Sequence, residues 1–181
     1  NHLAAGLHQR GFKKGDVCAV FCPNMPEYAT IFLGVASIGG INTTVNSLYS
    51  INDLVHQFND SNAKFLITIP DFMDRALPAA EKCGIEEIFV LGEAHGATPY
   101  SELLNNDGNP PNVAIDPKND LVALPYSSGT TGLSKGVMLT HENLVSDMVL
   151  TTSINTLTDD DVLIGVLPFF HIYGMVLILN L

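Results

Sequence analysis

Residues Tyr126 to His141 read YSSGTTGLSKGVMLTH, and seven of the nine residues ahead of Lys135 are Ser, Thr or Gly. Such a segment offers closely spaced backbone N–H groups, small hydroxyl donors and one mobile ammonium. That donor set suits an anion with several oxygens, above all a polyphosphate. Glycines let the backbone approach a ligand without a Cβ in the way and take positive φ where a turn needs it. A flexible Ser/Gly hairpin with a solvated lysine is the plainer alternative. Against it, the hydroxyls are consecutive, Lys135 lies three residues after Gly132, and strand-forming residues flank both ends. The kinase and GTPase pattern G-x-x-x-x-G-K-[ST] fails, because Ser134 precedes the lysine and Gly136 follows it. The dinucleotide pattern G-x-G-x-x-G fails too, since Gly129 and Gly132 have no G-x-G before them.

The composition narrows what the loop serves. At 181 residues the length suits one sizeable domain, and 46% apolar content excludes a disordered chain. Eight basic against 19 acidic residues give a net charge of -11, which argues against nucleic-acid binding. Three cysteines make no disulfide framework in a chain this long. Cys18 and Cys22 lie about 13 Å apart at strand rise, too far to bridge. All three are expected to be reduced, in an intracellular setting. No signal peptide or apolar run of membrane-spanning length appears, so no integral membrane segment is expected. The chain starts at Asn1 and stops inside the apolar run VLILNL, which reads as a piece of a larger protein.

The elements that must position the loop alternate between helix and strand. Helices are expected over 2–9, 26–38, 51–59, 71–83, 99–104 and 142–153, and strands over 17–21, 41–45, 64–69, 87–91, 121–125, 136–140 and 162–167. Pro26 suits a first helical position, and Ser50 with Asp53 has the spacing of a capping box. Pro78 predicts a kink or a break in the fourth helix, and Thr98-Pro99 reads as N-cap and first residue of the fifth. The Asn/Asp/Gly/Pro-rich stretch 105–119 is a connecting loop and the one candidate subdomain linker. The alternation predicts an α/β fold with largely parallel strands covered by helices.

Beside these readings stands a resemblance. YSSGTTGLSKGVMLTH resembles the phosphate loop of the adenylate-forming (AMP-binding) superfamily, in its acyl-CoA synthetase, 4-coumarate-CoA ligase and firefly-luciferase-like branch. Residues 39–69, GGINTTVNSLYSINDLVHQFNDSNAKFLITI, and residues 168–174, PFFHIYG, resemble two further stretches of that branch, so the likeness covers essentially the whole chain. Ser134 stands where most members have Pro, and Ser47 replaces another Pro.

The resemblance implies ATP-dependent activation of a carboxylic acid to an acyl-adenylate and transfer to coenzyme A, with Mg²⁺ on the phosphates. It implies that Ser127, Ser128, Gly129, Thr130, Thr131 and Gly132 bind the β- and γ-phosphates, with Lys135 as a point charge on the leaving pyrophosphate. His171 would lie beside the adenylate and position the carboxylate, and Tyr173 would line the acyl pocket. Alone, His171 reads equally as a packed core histidine and Tyr173 as a half-buried tyrosine. No protein metal cage is expected. A luciferase-like monooxygenase and a peptide-synthetase adenylation domain are the related alternatives; a non-catalytic nucleotide- or partner-binding fragment is the alternative of another class. By the same resemblance, residues 1–181 are an incomplete large N-terminal domain, inactive alone, with the small C-terminal domain absent. The compartment is then cytoplasm or peroxisome.

Overall fold

The computed structural model describes residues 1–127, 132–154, 158, 160–162 and 164–180. In chain order the elements are α1 (His2–Gln9), β1 (Val17–Phe21), α2 (Glu27–Ser37), β2 (Ile41–Thr44), α3 (Ile51–Ser61), β3 (Ala63–Thr68), a 3₁₀ turn (Pro70–Phe72), α4 (Met73–Cys83), β4 (Glu87–Val90), β5 (Thr98–Pro99) and α5 (Ser101–Leu104). Then follow β6 (Leu121–Ala123), β7 (Tyr126–Ser127), β8 (Lys135–Gly136), β9 (Leu139–Thr140), α6 (His141–Ile154), α7 (Ile172–Gly174) and a π-helical turn (Met175–Leu179). A seven-stranded sheet has the order β5-β4-β3-β1-β2-β6-β9 and is parallel except at β9, which runs antiparallel to β6. The expected α/β architecture is the observed one.

Strand β1 is buried along its whole length because both faces of the sheet are covered. Its alternate residues divide the core. Cys18 and Val20, with Cys22 just past the strand end, pack with Leu3 and Leu7 of α1 and with Tyr28, Ile31 and Val35 of α2. Val17, Ala19 and Phe21 pack on the other face with Leu54 and Phe58 of α3 and Ala76, Ala79 and Ala80 of α4. The chain therefore leaves β1 over one face and leaves β2 over the other. Ligand crevices of open α/β sheets form outside the carboxyl ends of strands where such connections diverge.

Local chemistry fixes where α3 begins and ends. Ser50 caps α3, with the Asp53 N–H donating to the Ser50 hydroxyl and the Ser50 N–H donating to the Asp53 carboxylate at 3.0 Å. Such a cap contributes about 1 kcal/mol. Asn62 ends the helix in the left-handed conformation, φ 52°.

Four expectations are corrected. Pro78 neither breaks nor splits α4, which runs unbroken through it. The carbonyl left without an N–H is that of exposed Asp74, open to water, while Ala76, Ala79 and Ala80 on the opposite face pack against the sheet. Thr98-Pro99 is not a helix start but the edge strand β5, paired with Phe89 and Val90. An edge is where a strand tolerates a residue without an N–H. The segment expected as one strand over 136–140 divides instead between the β7·β8 hairpin and the main sheet. Residues 162 and 164–167 form no strand, for no described strand runs beside them, and Val162, Ile164 and Val166 are exposed.

Candidate active site

A cavity of about 320 Å³ lies beyond the carboxyl ends of β2 and β6. Its wall includes Thr44 and Asn46 from the end of β2, Tyr126 and Ser127 from the hairpin, and Phe170 and His171 from the segment before α7. Among the described residues lining it there is no carboxylate, although the chain carries 19 acidic residues. An anion entering it meets hydroxyl- and imidazole-bearing side chains and no carboxylate among those described lining residues.

The hairpin is built from both ends of the opening motif. Tyr126 pairs with Gly136 and Ser127 with Lys135, antiparallel. The Val137 N–H donates to the Pro125 carbonyl at 2.8 Å and ties the hairpin base to the end of β6. Gly132 has φ 125°, which a side chain would strain. Ser127 and Lys135 are both exposed; Ser127 lines the cavity, and Lys135 is its partner on the adjacent strand. Ser128, Gly129, Thr130 and Thr131 lie outside the described residues.

A buried polar network joins the hairpin base to the His171 segment. Gln57, fully buried in α3, donates through Nε2 to Thr43 Oγ1 at 2.8 Å and to the Thr44 carbonyl at 3.1 Å. Thr43 Oγ1 donates to the Leu124 carbonyl at 3.0 Å, just ahead of the hairpin. Thr44 Oγ1 donates to the Phe170 carbonyl at 2.8 Å, next to His171. Asn24 grips the same segment, accepting from the Phe169 N–H and donating to the Leu167 carbonyl, each at 2.8 Å. The Phe169 ring stands edge-on to Tyr28, with centroids 5.7 Å apart.

His171 caps the single turn α7: its Nδ1 accepts from the Tyr173 N–H at 3.3 Å. With Nδ1 accepting, Nε2 is the ring nitrogen left to donate, and His171 lines the cavity wall. Tyr173 is 57% exposed and does not line the cavity. Ser127 and His171 are thus brought to one cavity from positions far apart in sequence, with Lys135 paired to Ser127 on the next strand, and Tyr173 does not line it.

Sequence reasoning missed the residues that hold this arrangement. His56 shows no metal-ligand spacing, yet its Nε2 donates to the Ser134 carbonyl at 2.7 Å. Tyr126 donates its hydroxyl to Asp60 at 2.6 Å. Burial, with Asp60 adding to it, pushes the Tyr126 phenol above its ordinary value, so it stays a neutral donor. The Thr-Thr pair at the end of a strand and a glutamine among the apolar positions of α3 were the available signals for the buried network.

Among the described residues no group of three or more His, Cys, Asp or Glu stands where it could hold a metal ion, and no helix is long and apolar enough to cross a membrane.

Known proteins share this arrangement of sequence and fold. The chain is 39% identical over 199 residues to "Probable 4-coumarate--CoA ligase 1" of Dictyostelium discoideum, covering 99% of this chain and 36% of that protein. It superposes on the crystal structure of a long-chain-fatty-acid-CoA ligase from Archaeoglobus fulgidus with a TM-score of 0.87 at 31% identity, covering 97% of this chain and 35% of that one. It also superposes on ATP-bound MatB from Rhodopseudomonas palustris with a TM-score of 0.82 at 29% identity, over 97% and 34% of the two chains. The chain spans about a third of the length of these relatives. The sequence pattern of one family, described as AMP-binding enzyme, matches residues 1–181 from end to end, and the chain belongs to that family.

Proposed function

We propose that the protein of which these residues are part is an AMP-forming acid–CoA ligase. The reading rests above all on the hairpin that pairs exposed Lys135 with Ser127, where Ser127 and His171 share the wall of a cavity with no carboxylate among its described lining residues. The names of the relatives and the ATP-bound state of one structural neighbour support it.

In the proposed reaction a carboxylate oxygen attacks the α-phosphorus of ATP and the bond to pyrophosphate breaks. The coenzyme A thiolate then attacks the acyl carbon, and the acyl–AMP bond breaks. Positioned donors matter more here than covalent chemistry on the protein. Ser127, with Ser128, Gly129, Thr130, Thr131 and Gly132, would surround the β- and γ-phosphates, and Lys135 would neutralise charge on the departing pyrophosphate. Mg²⁺ would be held mainly by phosphate oxygens and water. The carboxylate is already ionised at neutral pH, so His171 orients it through Nε2 and removes no proton. Tyr173 is read as an acyl-pocket residue that a bound acyl chain would cover.

Residues 1–181 are read as the front part of the large domain, with 105–119 as its linker candidate. The partners are then a small carboxylic acid, ATP and coenzyme A, and no nucleic acid. An intracellular compartment, cytoplasm or peroxisome, fits three free cysteines.

The test is carboxylate-dependent pyrophosphate release by the full-length protein. Lys135→Ala should lower it by about 100-fold, the usual loss for one removed charge-stabilising donor. Unchanged release would remove the hairpin from the active site. Residues 1–181 alone should show no ligase turnover, and robust acyl-CoA formation by them would refute that assignment.

A further inference from the structure

Helix α3 touches the hairpin on both strands. His56 and Asp60 are one turn apart and so share a face of the helix. His56 holds the Ser134 carbonyl, the residue immediately before Lys135, and Asp60 holds the Tyr126 hydroxyl, immediately before Ser127. The two rings also meet edge to face, His56 against Tyr126, with centroids 6.3 Å apart and planes at 89°. Between them Gln57, from the same helix, fixes Thr43 and Thr44 and through them the segment carrying His171.

We infer that His56 and Asp60 are positioning residues: they clamp the two strands of the hairpin to α3 and thereby set where Ser127 and Lys135 stand relative to His171. The inference rests on the proposed reading that the hairpin binds the phosphates of ATP. Neither side chain lines the cavity, so neither is assigned contact with substrate. Their influence passes through Ser134 and Tyr126. A hairpin joined to the sheet only at its base, through Val137 and Pro125, would otherwise swing as a two-stranded ribbon, which is marginal by itself.

The experiment measures ATP affinity, together with the KM for ATP and the KM for the carboxylate, on the full-length protein. Four variants are compared with the parent: Tyr126→Phe, His56→Ala, His56→Gln and Lys135→Ala. Tyr126→Phe deletes one hydroxyl and no volume. It should raise the dissociation constant and KM for ATP about fivefold, the usual worth of one net hydrogen bond, and leave the carboxylate KM within about twofold. His56→Ala should do the same, and His56→Gln, which keeps a donor toward Ser134, should recover most of the loss.

A uniform loss of folded protein is read separately from thermal melts, and the isosteric Tyr126→Phe keeps the test decisive if His56→Ala does not fold. ATP affinity unchanged in Tyr126→Phe, while Lys135→Ala weakens it, would overturn the clamp and leave the hairpin's phosphate role standing. Equal rises in both KM values would also overturn it. Affinity unchanged in Lys135→Ala would refute the phosphate reading itself, and the clamp with it.

Discussion

Replacing Gly174 by alanine should disable the site without touching a polar group. A Cβ built there would stand 2.1 Å from the Pro168 carbonyl oxygen, 2.7 Å from its carbon and 2.9 Å from the Leu167 oxygen. A comfortable C···O approach is about 3.3 Å, so one backbone segment must retreat by roughly 1.2 Å from the 2.1 Å contact. The obstacle is main chain, which cannot turn aside as a side chain does. Overpacking of this kind costs about 1–3 kcal/mol, and a backbone clash belongs at the upper end.

The displaced oxygen is also the one that accepts the His171 N–H, at 3.1 Å. The shift is thereby delivered to the residue assigned to orient the carboxylate. A misplacement of about 1 Å can lower turnover about 100-fold. In the full-length protein Gly174→Ala should therefore reduce kcat by about that factor. ATP affinity should stay within about twofold, because the hairpin is anchored to α3 and β6 instead. Gly165→Ala is the control: its Cβ would meet only the Ile178 methyl, at 3.2 Å, and that side chain can move. Parental kcat and thermal stability in Gly174→Ala would refute the reasoning.

Two further outcomes concern titratable groups that are wholly or partly buried. Burial holds the imidazole of His141, at the start of α6, below its ordinary value of 6.5; Asp120 opposes the shift and Lys14 adds to it. The unfolded chain then takes up the proton more readily, so the stabilisation is present above pH 6.5 and is lost as pH falls through the lower folded value. Denaturant midpoints measured from pH 7.5 downward should fall less steeply in His141→Gln, and identical slopes would refute this. Burial pushes the Cys18 thiol up to about 12 and Cys22 higher still, whereas half-buried Cys83 is raised less. Alkylation of the native protein followed by peptide mapping should label Cys83 first of the three, and Cys18 reacting like a free thiol would refute the packing.

The local devices of this chain are legible in its residues alone. The periodicity of α2, the uninterrupted apolar run of β1 and the Ser50–Asp53 box each lie within one element, and their physics is complete within a few residues. The make-up of the hairpin is legible too, because its glycines, hydroxyls and lysine crowd into residues 127–136. What misleads are positions where a neighbour in space outweighs local preference. Pro78 reads as a breaker, but the alanine face of α4 packs on the sheet and the helix continues. Thr98-Pro99 reads as a helix start, but the free edge of β4 takes it as a strand.

Sequence by itself determined the α/β fold and a run of hydroxyls, glycines and a lysine of the kind that suits a phosphate, since those properties follow from periodicity and from neighbouring residue types. Tertiary structure alone decided how the site is assembled. His56 and Ser134 are 78 residues apart, Thr44 and Phe170 are 126 apart, and Tyr126 and Asp60 are 66 apart. No local pattern marks such pairs, because each side chain is ordinary in its own element. A partner's distance is set by the order and register of strands in the sheet. That order, with β1 between β3 and β2 and with β6 beside β2, brings Ser127, paired with Lys135, to the same cavity as His171.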